Sequence, residues 1–215
     1  MMLKAKLPFR RNIARLAGDC AGATIVEFAL IAMPLMLILI GGFDLAHQSY
    51  VRSVMQGALT DAARQAAVEN PALSGTSGTV EERVANLVKG QILPIAPGAT
   101  ITVTQSNYYD FAGIGNPEKL VKDEDGDGVY DETDGDCFSD LDEDGVHDQD
   151  TGRTGIGGAN DVVQYQATLT MDRLVPLHHF VGGSEKYHLK ADTAIRNQPW
   201  DTQKTPPTVC GTKTP

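Results

Sequence analysis

Positive charge is scarce in this chain once its first residues are passed. The opening 22 residues hold Lys4, Lys6, Arg10, Arg11 and Arg15 against Asp19, a balance of +4, so their removal would take the formal charge from −10 to −14. So acidic a remainder repels other polyanions, which argues against nucleic acid or an anionic membrane surface as its partner. Motifs of catalysis are missing too: there is no nucleophile elbow and no glycine-rich phosphate loop. His178-His179 has neither the helical spacing nor the neighbouring cysteines of a zinc site. The residues thus point to no enzyme class. No tandem repeat of solenoid length is present. Cysteine is limited to Cys20, Cys137 and Cys210. Removal of a leader containing Cys20 would leave Cys137 and Cys210 as a possible disulfide in an oxidising compartment, with two free thiols as the alternative.

Charge is absent altogether from Phe28 to Phe43. The surrounding stretch Ile25–Leu45, about 31 Å long as a helix, can cross a bilayer core. Five cations precede it and only Arg52 follows closely, so the positive-inside bias puts the N-terminus in the cytoplasm and the remainder outside. The apolar core runs into GGFDLAHQSYVRS without the small-residue cleavage site of a secretory signal. Beyond it, Val51, Val54, Met55, Ala58, Leu59, Ala62 and Ala66 repeat at helical spacing, which predicts that the helix continues to about Glu69 before Asn70-Pro71 ends it. Pro34 is expected to bend it within the bilayer. After a flexible connector at Pro71–Gly78, Thr79 and Glu82 form a capping box ahead of a short helix lined by Val80, Val84, Leu87 and Val88. Three segments then alternate with strand period. They are Ala99–Tyr109, the stretch around Val163, Tyr165, Ala167 and Leu169, and the stretch around Leu189, Ala191, Thr193 and Ile195. Two helices followed by three strands predict an α+β fold, with a small antiparallel sheet packed on the exported half of the long helix.

Between the first two strands lies a polar interruption, Gly113–Ala159, too long for an ordinary hairpin loop. From Asp123 to Asp150 it holds 14 of the chain's 28 acidic residues and no Lys or Arg. Self-repulsion would disorder a random run of this kind. The spacing, however, is that of a calcium loop: Asp123, Asp125, Asp127, Val129, Asp131 and Asp134 occupy positions 1, 3, 5, 7, 9 and 12, with Gly128 at the turn. Alternating carboxylates converge where the chain turns tightly, position 7 gives a backbone carbonyl, and a hard cation takes six to eight oxygens. A second copy has Asp140, Asp142, Asp144, Val146 and Asp148, with Thr151 at its last position unless Asp150 substitutes. No pair of amphipathic helices flanks either loop. The run resembles the aspartate-rich repeats of thrombospondin type 3 modules, including a cysteine, Cys137, between the units. Calcium is the expected cofactor.

The basic leader, Gly22, then Glu27-Phe28 and an apolar helix resemble the type III signal of type IV pilins. The stretch EFALIAMPLMLILIGGFDLAHQSYVRSVMQGALTDAARQAA is similar, more narrowly, to the TadE-like family of the tight-adherence (Flp) pilus machinery. That resemblance implies a non-enzymatic, single-pass protein of a bacterial inner membrane, with its C-terminal domain periplasmic or extracellular. It implies cleavage by a prepilin peptidase between Gly22 and Ala23, an unhindered glycine suiting entry of extended backbone into the protease. Glu27 would then be residue five of the mature chain, paired with a subunit's new α-amino group. Other pilins and tight-adherence assembly proteins are the implied partners. The expected division is a leader (1–22), the long helix (23–70), linker, short helix and first strand (71–112), calcium insertion (113–160), sheet strands (161–198) and a mobile tail (199–215). A membrane-anchored, calcium-dependent adhesion or ligand-binding module outside the filament is the alternative function.

Overall fold

The computed structural model describes residues 23–73, 78–176 and 178–212. The basic leader and Gly22 lie outside them, as do part of the expected connector and the last three residues. The chain divides between Ala46 and His47 into two compact units. In the first, helix α1 (Ala23–Ala66) begins. Ile25, Phe28, Leu30, Ile31, Met33 and Ile38 are exposed along it, the arrangement in which lipid, not protein, would cover the apolar side chains. The helix is long and apolar enough to cross a membrane.

In the second unit α1 continues from His47, and there its spacing decides what it buries. Val51, Met55, Ala58, Leu59, Ala62, Ala63 and Ala66 are all withdrawn from solvent, while Arg52, Gln56 and Arg64 stay exposed. Helix α2 (Val80–Ile92) opens with the capping box: the Thr79 side chain accepts from the Glu82 N–H, and the Glu82 carboxylate accepts from the Thr79 N–H. Each such satisfied donor at a helix start is worth about 1 kcal/mol. Its buried residues Val84, Val88 and Ile92 recur at intervals of four.

Both helices share one core with an antiparallel sheet. The sheet is formed by β1 (Thr100–Tyr108), β4 (Arg153–Thr154), β5 (Val162–Asp172) and β6 (Lys186–Arg196), in the order β4-β1-β5-β6. Register explains the alternation: Ile101 lies opposite Leu169, which lies opposite Leu189, and Val103, Ala167 and Ala191 form the next row. Period-two geometry puts these rows on one face. The sequence predicts three strands, and the fourth, β4, is a two-residue edge too short to carry a periodic signal.

A second sheet departs further from expectation. Its strands β2 (Leu120–Lys122), β3 (Cys137–Ser139) and β7 (Thr208–Cys210) pair antiparallel in that order. The tail expected to be mobile therefore supplies a strand: Cys137, Phe138 and Ser139 face Cys210, Val209 and Thr208. Paired backbone amides and the neighbouring Phe138, fully buried, hold a segment whose Pro/Thr composition suggested none of this. The fold is α+β, with a long N-terminal apolar helix, a short second helix and antiparallel sheets.

Candidate functional site

The acidic insertion folds as two copies of one polar turn. In the first, Asp123 Oδ1 accepts from the N–H of Gly126 at 2.6 Å, and Oδ2 from that of Gly128 at 2.9 Å. Asp125 accepts from Asp127 N–H at 3.1 Å, and Asp127 from Val129 N–H at 2.8 Å. Seventeen residues later each contact recurs. Asp140 accepts from Glu143 and Gly145 at 2.6 and 3.0 Å, Asp142 from Asp144 at 3.3 Å, and Asp144 from Val146 at 2.8 Å. Gly128 and Gly145 have φ of 78° and 80°, and open space surrounds the position of an added Cβ. The left-handed backbone, not crowding, therefore asks for glycine there. Glu143 takes the same region, with φ 66°, where the first copy has Gly126.

Each turn is clamped by a buried carboxylate that spacing alone does not single out. Asp136, fully buried, accepts from the N–H groups of Glu124 and Asp131 at 2.8 and 2.9 Å. Glu118, also buried, accepts from Leu141 and Asp148 at 2.6 and 3.1 Å. Both clamps thus grip positions 2 and 9 of their loops. Burial pushes the Glu118 carboxyl above its usual range, although those two backbone N–H groups pull it down. Asp123 is held low instead by the N–H groups of Gly126 and Gly128.

Carboxylate oxygens converge in three groups among the described residues: Asp123, Asp125 and Asp127; Glu118, Asp140 and Asp142; and Asp142, Asp144 and Asp148. Within each group the oxygens lie within 4.8 Å of one another. Crowding of like charge shows in Asp142, raised by burial and by Asp144, Asp148 and Asp140. An all-oxygen donor set of this density fits a hard divalent cation and offers no soft ligand for zinc. Val129 and Val146 have exposed side chains, so only their backbone could serve a loop centre. Asp131 turns toward Thr133, whose N–H and hydroxyl both reach its Oδ1 at 2.7 Å. Asp134 is outside the convergent groups, although its charge helps raise the Asp125 carboxyl, against the lowering N–H of Asp127. Thr151, at the last position of the second copy, donates its hydroxyl to the Gly113 carbonyl at 3.1 Å. Asp150 accepts from Gly152 N–H. Glu118, which groups with Asp140 and Asp142 instead, lies before the acidic run, where spacing gave no sign of it.

Between the loops sits a small aromatic core. Tyr130 and His147, each at position 8 of its loop, stack with ring centres 4.6 Å apart, and Phe138 meets both edge-on at 5.0 and 5.3 Å. Beside it a disulfide joins Cys137 to Cys210, tying β3 to β7. The insertion is therefore anchored to the chain's C-terminal segment.

Of the N-terminal features, Glu27 is exposed on α1, Ala23 begins that helix, and Gly22 lies outside the described residues. No curated protein and no solved structure matches the chain. Residues 22–64 match the family model described as TadE-like protein. The matched span starts at Gly22 and ends just short of the end of α1, and over it the chain is similar to the TadE-like family.

Proposed function

We propose that the chain is a TadE-like minor pilin or pseudopilin that takes part in assembling a tight-adherence pilus and has no enzymatic role. The observation that carries this reading is the coincidence of the TadE-like match, residues 22–64, with the exposed apolar helix. A prepilin peptidase cuts between Gly22 and Ala23, leaving the N-terminus on the cytoplasmic side and the second unit exported. Glu27 then sits four residues into a lipid-embedded helix. A carboxylate there is costly unless paired, and the α-amino group released by the cut, on a neighbouring subunit or on Ala23 itself, supplies the cation. Such a pair sets the axial register between packed helices.

Calcium orders the exported insertion in this reading. Asp123, Asp125 and Asp127 with the Val129 carbonyl would hold one ion, and Asp140, Asp142, Asp144 and Asp148 with Glu118 and the Val146 carbonyl another. Bound calcium supplies positive charge where carboxylates crowd. The chain's own part is to pre-shape both loops through the backbone N–H contacts to Asp123, Asp140, Asp136 and Glu118. A large domain beyond the helix suits a minor or initiating subunit better than a bulk fibre subunit.

A Glu27→Ala strain tests the assembly role. Retained membrane protein with loss of pili is the expected result. Intact pili, with cell adhesion still calcium-dependent, would favour the anchored adhesion module outside the filament.

A further inference from the structure

A cleft of about 880 Å³ opens where the two acidic turns meet the end of β1, wholly within the second unit. Its walls come from separate parts of the chain. Tyr109 follows β1, Val129 and Tyr130 belong to the first turn, Leu141 and His147 to the second, and Pro206 precedes β7. The volume is that of a ligand pocket, roughly 300–1,000 Å³. Past Tyr109, Leu141 and Pro206 the cleft continues into a smaller hollow of about 330 Å³ beside Trp200. The space is therefore elongated, and an occupant that fills it is longer than one ring.

The chemistry of the walls narrows the class of that occupant. Ring and aliphatic surface is interspersed with five uncharged polar side chains, Tyr109, Tyr130, Ser139, Gln149 and Thr205. None of the five makes a side-chain hydrogen bond among the described residues, so their hydroxyls and amide can donate to a ligand or accept from it. An anion is repelled by the 14 acidic residues between Asp123 and Asp150, against which Lys119 is the single cation lining the cleft. A cation finds both lining carboxylates engaged. Asp110 accepts from the Gly113 N–H at 3.0 Å, and Glu118 from Leu141 and Asp148. Charges in the adjoining hollow are engaged as well, Arg153 with Asp161, Lys204 with Glu143, and Asp201 with the Thr202 N–H. A wholly apolar occupant would strip water from the five polar groups and return no hydrogen bond. What fits is a neutral molecule with apolar faces and many hydroxyls. We infer that the cleft binds a neutral oligosaccharide, whose C–H faces lie against the Tyr109 and Tyr130 rings while its hydroxyls bond to Ser139, Gln149 and Thr205. The walls owe nothing to the N-terminal apolar helix, so a chain outside any filament would bind in the same way.

An array of immobilised oligosaccharides provides the test, with neutral, acidic (sialylated or sulfated) and amino-sugar members. The full chain is applied in phosphatidylcholine vesicles, so that no sugar-headed detergent competes for the cleft. Gln149 and Thr205 are exposed and make no side-chain hydrogen bond among the described residues, so the double substitution Gln149→Ala with Thr205→Ala disturbs no packing. The expected result is retention of at least one neutral oligosaccharide ahead of every charged one. The double variant should bind that sugar about tenfold more weakly, as the loss of two hydrogen bonds would give. No retention of a neutral oligosaccharide, or retention of acidic or amino-sugar members ahead of the neutral ones, would overturn the inference. Binding left unchanged by the double substitution would overturn it too, because the sugar would then sit elsewhere on the chain.

Discussion

The helix-and-sheet core and the acidic insertion belong to one compact unit, yet they are held by different physics. In the core, Leu59, Val84, Tyr165 and Leu169 are fully buried, and side chains of this kind contribute roughly 1.5–3 kcal/mol each by leaving water. In the insertion, Phe138 is the single large side chain buried to that degree. Its order comes from carboxylates that accept backbone N–H groups and from one disulfide. Apolar burial is indifferent to cations and to redox state. A fold made of like-charged turns and one cross-link is sensitive to both, and this contrast can be broken in steps.

The largest effect is expected from Cys137→Ser. The disulfide spans 73 residues in sequence, and its loss costs about 4 kcal/mol by loop-closure entropy. Urea melts should show it, and hydrogen exchange should rise first at β3 and β7. Leu59→Ala comes next, at about 3 kcal/mol for a cavity in the apolar core. It should lower the melting temperature while leaving the response to calcium intact, which separates the two regions. Removing calcium with EDTA follows: a site held at a hundredfold excess over its Kd loses about 2.7 kcal/mol. The expected readout is faster proteolysis within residues 113–159, with β5 and β6 spared. Unchanged digestion would mean that the backbone contacts suffice without metal. The smallest effect belongs to Gly128→Ala and Gly145→Ala, about 1 kcal/mol each for a side chain at positive φ. Thermal melts should give nearly equal costs, because the two turns are copies; unequal costs would argue that only one of them shapes the insertion.

The core was legible in the sequence because its signals are periodic and local. Val51, Met55, Ala58, Leu59, Ala62 and Ala66 mark a helical stripe, Thr79 and Glu82 mark a helix start, and Ile101, Val103 and Gln105 alternate as a strand does. The loops were legible as spacing, since Asp123, Asp125, Asp127 and Gly128 repeat at Asp140, Asp142, Asp144 and Gly145. What closes those loops was not. Glu118 reaches Leu141 and Asp148 across more than twenty residues, and Asp136 looked like one more acid in an acidic run. The second sheet was invisible for the same reason: its strands are three residues long, too short for a period, and β7 lies some 70 residues beyond β3. Long-range pairing of short segments leaves almost no local imprint.

We propose that the N-terminal segment is a processed assembly element and not a plain anchor. Mass spectrometry of the N-terminus of the membrane-bound protein tests it most directly. A mature chain that begins at Ala23, with Glu27 as its fifth residue, is the expected result; a membrane-bound chain that still begins at Met1 would rule the processed element out.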